Sequence, residues 1–374
     1  MAAEADSSRL TRTPARLPAR TLLLIPAALA LLAGLTAALL LLDLPGVTAP
    51  RAAGTLSDVH GPLMVLGFLG TLIALERAVA ARRTWPYAAP AFLGLGALAT
   101  IPEASRPVGQ LLTLAGALGL IATYVVLWQR QRDDAVLVEL LAAGYAALAA
   151  ATYPRLDVAA VLPWLAGFVV FTIAAERVEL ARLHIAHGER RLLAHAAAYT
   201  LAASLAMLWP ALGGRLVALV LLALTLWLAQ ADVARRTIRS TGQPRYAALA
   251  LLLGYAWLAI AALTWFASGT LAGGAAYDTV VHGIFLGFAM SMVLAHAPVI
   301  LPAVVRRPVA FRPILWGPLA LLHTGLLIRL ALGNGLTDTP VWRIGATVTI
   351  LALLALPLAI LTAARHPVTN PRKA

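Results

Sequence analysis

The chain contains no cysteine and little charge: 12% of its 374 residues are Asp, Glu, Lys or Arg. Without cysteine there is no disulfide, no thiolate-bound metal, no iron–sulfur cluster and no cysteine nucleophile. Lysine is almost missing as well, Lys373 being the single one. A soluble domain is about a quarter charged and roughly 45–50% apolar, whereas 61% of this chain is apolar and its mean hydropathy is +0.85. These deficits exclude a soluble enzyme and a disordered chain. They also exclude a nucleic-acid-binding protein, because the formal charge of +13 is scattered between long apolar runs rather than gathered in a patch.

What is present is apolar length. About 20 apolar residues cross a hydrocarbon core of about 30 Å. Twelve segments qualify: 20–42, 56–80, 85–101, 108–129, 135–152, 158–181, 191–209, 212–231, 245–267, 278–304, 310–331 and 341–363. Connections are short, so the expectation is an all-α polytopic membrane protein. Residues 1–374 would form one integral membrane domain, with tails at 1–19 and 365–374. The first segment is too long for a signal-peptide core and follows Arg9, Arg12, Arg16 and Arg20, which predicts a retained helix with its N-terminus inside.

Charge supplies an independent check. With that orientation, 21 of the 29 basic residues fall in inside segments. Five (Arg51, Arg106, Arg155, Arg215 and Arg343) fall outside, and Arg77, Arg177 and Arg329 lie within spans. The bias alternates loop by loop, as the positive-inside rule requires. Both termini are therefore expected in the cytoplasm of a cell whose inner membrane holds the chain. Trp85, Trp128, Trp209, Trp265 and Trp342 near span ends suggest an interfacial belt.

An internal repeat accompanies the spans. Span two carries Gly67-Phe68, with Glu76-Arg77 nine and ten residues after the glycine. Span six carries Gly167-Phe168 and then Glu176-Arg177 at the same offsets, and span ten carries Gly287-Phe288 and then His296. Aligning the three Gly-Phe pairs makes Glu76, Glu176 and His296 equivalent. Because the motif helices are the second, sixth and tenth, the chain reads as three pseudo-repeated four-helix units.

Ionisable groups inside a bilayer are costly, so each is a functional candidate. Of eight histidines, His60 and His282 are placed about one turn inside the outer ends of spans two and ten. Each is followed by a glycine that leaves room for something flat to approach the backbone. Two imidazoles at matched depth on repeat-related helices fit the axial ligands of a haem iron, the alternative being polar interhelical contacts. Asp278, four residues before His282, shares its face and could orient the imidazole, although helix N-capping is the favoured role for Asp58 and Asp278. Arg329 and Arg343 lie at the level of haem propionates, or snorkel to the interface.

His296 lies 14 residues beyond His282, roughly 21 Å along a helix, so the two cannot share a metal. His296, Glu76, Glu176 and His323 could form a separate metal site or a proton relay. The competing reading, which weighs more, is buried polar contact with Arg77 and Arg177. Adjacent Glu-Arg pairs do not face each other on a helix, so each Glu is expected to find a partner on another helix. His184, His187 and His195, among Glu189, Arg190 and Arg191, could bind a metal, but a solvated loop between spans six and seven explains them better; His366 lies in the tail.

These residues carry a family likeness. The twelve-helix, three-unit layout with His near the outer ends of spans two and ten resembles subunit I of the haem–copper oxidases. A closer resemblance is to the NnrS family of haem- and copper-containing bacterial inner-membrane proteins, carried by His60 to Arg77, His282 to Pro302 and Leu322 to Arg329. The resemblance implies haem on His60 and His282, copper as a further cofactor, and a role in the response to nitric oxide or nitrosative stress. Span six has no His, span seven has only His195, and His282 lacks a His two residues away. An oxygen-reducing binuclear centre is therefore not expected.

The first functional expectation is thus a haem-binding inner-membrane protein, also a candidate metal binder, with lipids and an electron-transfer protein as partners and no nucleic acid. A secondary transporter is the alternative, since twelve helices suit one, although its usual symmetry is twofold rather than threefold. A structural or assembly protein is the third.

Overall fold

The computed structural model describes residues 18–43, 53–182, 187–305, 311–333 and 339–365, and no strand occurs among them. The long helices are α1 (Ala19–Leu41), α2 (His60–Ala81), α3 (Ala88–Ala99), α4 (Glu103–Gln131), α5 (Asp134–Thr152), α6 (Val158–Leu180), α7 (Gly188–Leu208), α8 (Pro210–Ala231), α9 (Gly242–Ser268), α10 (Gly274–Pro298), α11 (Pro313–Leu332) and α12 (Pro340–Ala363). All but α3 are long and apolar enough to cross a membrane, and α3 counts 12 residues after a 3₁₀ turn at Trp85–Tyr87. The protein is a polytopic helical membrane protein. The tails at 1–17 and 366–374, with Arg9, Arg12, Arg16, His366 and Lys373, lie outside the described residues, as do Arg51, His184, Arg306 and Arg307.

Local chemistry sets the helix ends. Pro210 and Pro313 stand in first turns, where a missing N–H costs nothing. Asp133 caps α5 by accepting the Ala135 N–H at 2.9 Å. Arg82 and Arg132 end α2 and α4 in the left-handed region, each with φ of 52°, and so turn the chain sharply into the next helix.

Lipid offers no hydrophobic drive between helices, so close contact relies on small residues. A Cβ on Gly109 would lie 2.6 Å from the Thr100 amide, and one on Gly116 would lie 2.7 Å from the Leu93 amide. These glycines let α4 lie directly on α3. At the centre, α6 is buried along nearly its whole length and packs on both α2 and α10. The three central helices are thus the second members of the three four-helix units.

Three π-helical stretches interrupt regular winding: Leu63–Leu69, Gly283–Met290 and Leu327–Leu332. The first two contain the Gly-Phe pairs of spans two and ten, whereas α6 carries Pro163 one turn before its own pair. Such widened turns concentrate at functional sites.

Two expectations need correction. His60 is the first residue of α2, because Val59 leaves helical backbone (φ −104°, ψ 6°) after a short helix at Ala53–Asp58, while His282 is the ninth residue of α10. The tryptophan belt is partial. Trp85 and Trp209 are exposed at helix ends, but Trp265 and Trp342 are buried between helices.

Candidate functional site

His60 and His282 border one cavity of about 390 Å³, together with Phe68, Tyr277, Phe285 and Arg329. The two imidazoles and the Arg329 guanidinium lie within electrostatic range of one another. The His60 Nδ1–H donates to the Gly34 carbonyl on α1 at 2.9 Å. The His282 Nδ1–H is shared between the Asp278 carbonyl at 3.0 Å and the Asp278 carboxylate at 2.8 Å. Both acceptors are oxygens that cannot donate, so in each neutral ring the lone pair is left on Nε2. That tautomer, fixed by a carbonyl or carboxylate on the far nitrogen, is the one metal-binding histidines use.

Asp278 organises the rest of this centre. Arg329 donates to it through Nε at 3.0 Å and Nη2 at 2.6 Å, and Trp342 Nε1 adds a bond at 2.9 Å. The Arg329 guanidinium also lies 4.8 Å from the Trp342 ring centroid. One buried carboxylate thereby ties α10 to α11 and α12 and holds His282 in place.

Four sequence expectations change here. Asp278 is no N-cap: it is the fifth residue of α10, whose cap position is Gly273. Asp58 ends the short helix before α2 instead of starting one. Arg329 is committed to Asp278 through two of its nitrogens, and Arg343 does not border the cavity. The glycines after the two histidines serve helix packing: a Cβ on Gly61 would meet Val158 at 3.1 Å, and one on Gly283 would meet Ala261 at 3.0 Å.

A second polar centre lies at the other end of α2 and α6. Arg77 contacts Glu176 at 2.7 Å, Glu76 at 3.0 Å and Glu139 at 3.3 Å. The Glu76–Arg77 contact corrects the expectation that neighbours on a helix stay apart, since a long guanidinium stem can fold back along the helix surface. Next to this cluster, Arg177 forms a two-point pair with Asp232 at 2.8 and 2.9 Å and lies 3.3 Å from His296 Nε2. Asp232 also accepts from the Ala234 amide at 2.8 Å and the Tyr255 hydroxyl at 2.7 Å. Burial pushes the Asp232 carboxyl up, but the Arg177 bonds outweigh it and hold the group below the ordinary carboxylate range.

Glu76, Glu176 and His296, aligned by the repeat, do border one cavity of about 640 Å³ walled by α1, α2, α6, α10 and α12. Phe68, Leu69, Met290 and Leu353 form a wall common to both cavities. His323 lies apart. Its Nδ1 accepts from Trp257 Nε1 at 3.0 Å, so its Nε2 carries the hydrogen, 3.3 Å from Ser291 Oγ. Among the described residues no group of three or more His, Asp or Glu is arranged to hold a metal ion. Between Glu76, Glu139 and Glu176 the positive charge is the Arg77 guanidinium. His195 belongs to α7, stacked on Trp227 with ring centroids 5.5 Å apart, while His187 is an exposed turn residue.

Sequence reading missed Glu139, Tyr124 and Asp232. Glu139 was legible, being a lone acid in the run Leu137-Val138-Glu139-Leu140-Leu141. Asp232 was hidden by its position in a loop, and only tertiary contact gives it a partner inside the bundle.

Fold and site together define a polytopic helical membrane protein with two internal polar centres, one histidine-rich and one carboxylate-rich. The chain belongs to the family described as domain of unknown function (DUF8744), whose model matches residues 20–365. No curated protein and no solved structure matches it.

Proposed function

We propose that this chain is a haem-binding protein of the bacterial inner membrane, both termini cytoplasmic, with His60 and His282 as the iron's protein ligands. The observation that carries the reading is the pair of imidazoles bordering one cavity, each with Nδ1 engaged and Nε2 left to donate. The donor set fits the group: two neutral nitrogen ligands, and neither thiolate nor thioether is required. Bound there, haem supplies one-electron exchange. Asp278 would keep His282 oriented and raise its donor strength, and the Gly34 carbonyl would do the same for His60. Held by both His60 and His282, the iron would have no free position for a gas, which favours electron transfer to a partner over direct capture of nitric oxide.

The test is a visible spectrum of the purified protein, with and without reductant, after haem-replete expression. Metal analysis alongside separates haem iron from copper on the same nitrogens. A Soret band is expected, with its low-spin form lost in His60→Ala and in His282→Ala. Absence of the band overturns the reading, and a band unchanged in both variants moves the ligands elsewhere.

Secondary transport is the competing reading, favoured by the buried charges around Arg77. It requires substrate flux in vesicles that depends on Glu76 or Glu176, and no Soret band.

A further inference from the structure

Charge does not balance around Arg77. Glu76 from α2, Glu139 from α5 and Glu176 from α6 all face its single guanidinium. Glu179 of α6 lies within electrostatic range as well. The neighbouring Arg177 brings no relief, because two of its nitrogens are engaged by Asp232. Two or more negative charges would therefore stand uncompensated inside a helical bundle, which a low-dielectric interior does not sustain.

A second observation shows where compensation enters. Glu139 is 1% exposed, and neither of its carboxyl oxygens has a hydrogen-bond partner. The Tyr124 hydroxyl from α4 is fully buried, also lacks a hydrogen-bond partner, and is within electrostatic range of Glu139, Glu176 and Glu76. A carboxylate with two unmade hydrogen bonds beside an unused phenol is a pair completed by adding hydrogen.

We propose that this cluster is a proton-binding site, in which exchangeable protons meet the surplus charge of Glu76, Glu139 and Glu176 around Arg77. Glu139 and Tyr124 form its closed inner end. Glu76, the most exposed of the three carboxylates at 28%, borders the 640 Å³ cavity with Glu176 and forms its open end. A proton from water on the cavity side adds to a Glu76 or Glu176 oxygen and moves inward to Glu139, and release is the reverse. No electron is exchanged. The groups facing the site are Glu76 and Arg77 of α2, Tyr124 of α4, Glu139 of α5, and Glu176 and Glu179 of α6, with His296 of α10 across the cavity.

The experiment is infrared difference spectroscopy of the full-length protein in lipid nanodiscs, in ordinary and heavy water. The wild type at neutral pH is expected to show a protonated-carboxyl band that shifts in heavy water. That band should disappear in Glu139→Gln and move in Tyr124→Phe. Identical carboxyl regions in wild type and Glu139→Gln overturn the proposal. So does a melting temperature raised by sodium or potassium at fixed pH, in the wild type but not in Glu139→Gln, because a bound cation then balances the charge. Where Glu139→Gln does not fold, an unmoved band in Tyr124→Phe overturns it alone. None of these readouts depends on haem, so the site can fail or stand separately from the cofactor reading.

Discussion

Asp278 joins three helices through one carboxylate. It is 8% exposed and accepts from Arg329, Trp342 and His282, each on a different part of the chain. Removing one partner of a buried ion pair strands the other charge, at a cost of about 3–5 kcal/mol. Asp278→Asn keeps the volume and loses the charge, so a fall in melting temperature in detergent is expected, with loosened His282 geometry and an altered haem spectrum. An unchanged melting temperature would show that Arg329 finds another anion. Asp232 gives a pH prediction of definite sign. Its carboxyl titrates below the ordinary value of 3.8 when folded. Its contribution to stability is therefore present above about pH 4 and is lost as pH falls through the folded value. Melting followed across that acid range should be less pH-dependent in Asp232→Asn than in the wild type.

At the scale of elements, glycine decides how close helices come. Backbone of α11 and α12 touches where a Cβ on Gly345 would lie 2.3 Å from the Arg329 amide and 2.7 Å from its Cα. Backbone cannot yield as a flexible side chain can, so Gly345→Ala must separate the two helices and pull Arg329 and Trp342 away from Asp278. Overpacking of this kind costs typically 1–3 kcal/mol. Gly317, also on α11, has nothing within 4 Å of its Cβ position, so Gly317→Ala serves as the control and should be neutral or stabilising. Equal melting temperatures for the two variants would refute the close-contact argument. Much at this scale was legible in the sequence. Apolar runs mark the spans, and the Gly-Phe register makes Glu76, Glu176 and His296 equivalent, three residues that border one cavity in the structure. Partner choice was not legible. Spacing along a helix gives a face and a depth, but whether Arg329 meets a ligand or Asp278 depends on how α10 and α11 rotate about their axes. The same ignorance hid Glu139, whose partner Arg77 lies 62 positions earlier in the chain.

At the scale of the whole molecule, the arrangement is two polar centres separated by apolar packing. His60 opens α2 and Glu76 lies 16 residues later, roughly 24 Å along a helix, with Phe68 and Leu69 between them in the wall common to both cavities. That separation fits the two proposals made above, electron exchange at one end and proton binding at the other, with the central helices α2, α6 and α10 between them. Placing the two centres at two membrane faces requires every helix to cross, and α3 is the shortest of them. With 12 helical residues it spans about 18 Å at 1.5 Å per residue, so the flanking turns must complete the crossing. The missing cysteines turn this into a direct experiment, because each introduced thiol is the only one in the chain. Thr84 and Ala104 are both exposed, and they flank α3. In intact cells, a membrane-impermeant maleimide should label Ala104→Cys and spare Thr84→Cys, which reacts only after permeabilisation. Thr241→Cys, in the exposed segment before α9, should be protected like Thr84→Cys, since arginine-rich segments stay inside. Labelling of both Thr84→Cys and Ala104→Cys from one side would mean that α3 dips in and returns. Every helix after it would then run in the opposite direction, and the inside face assigned from the arginine bias would have to be reversed for the last nine helices.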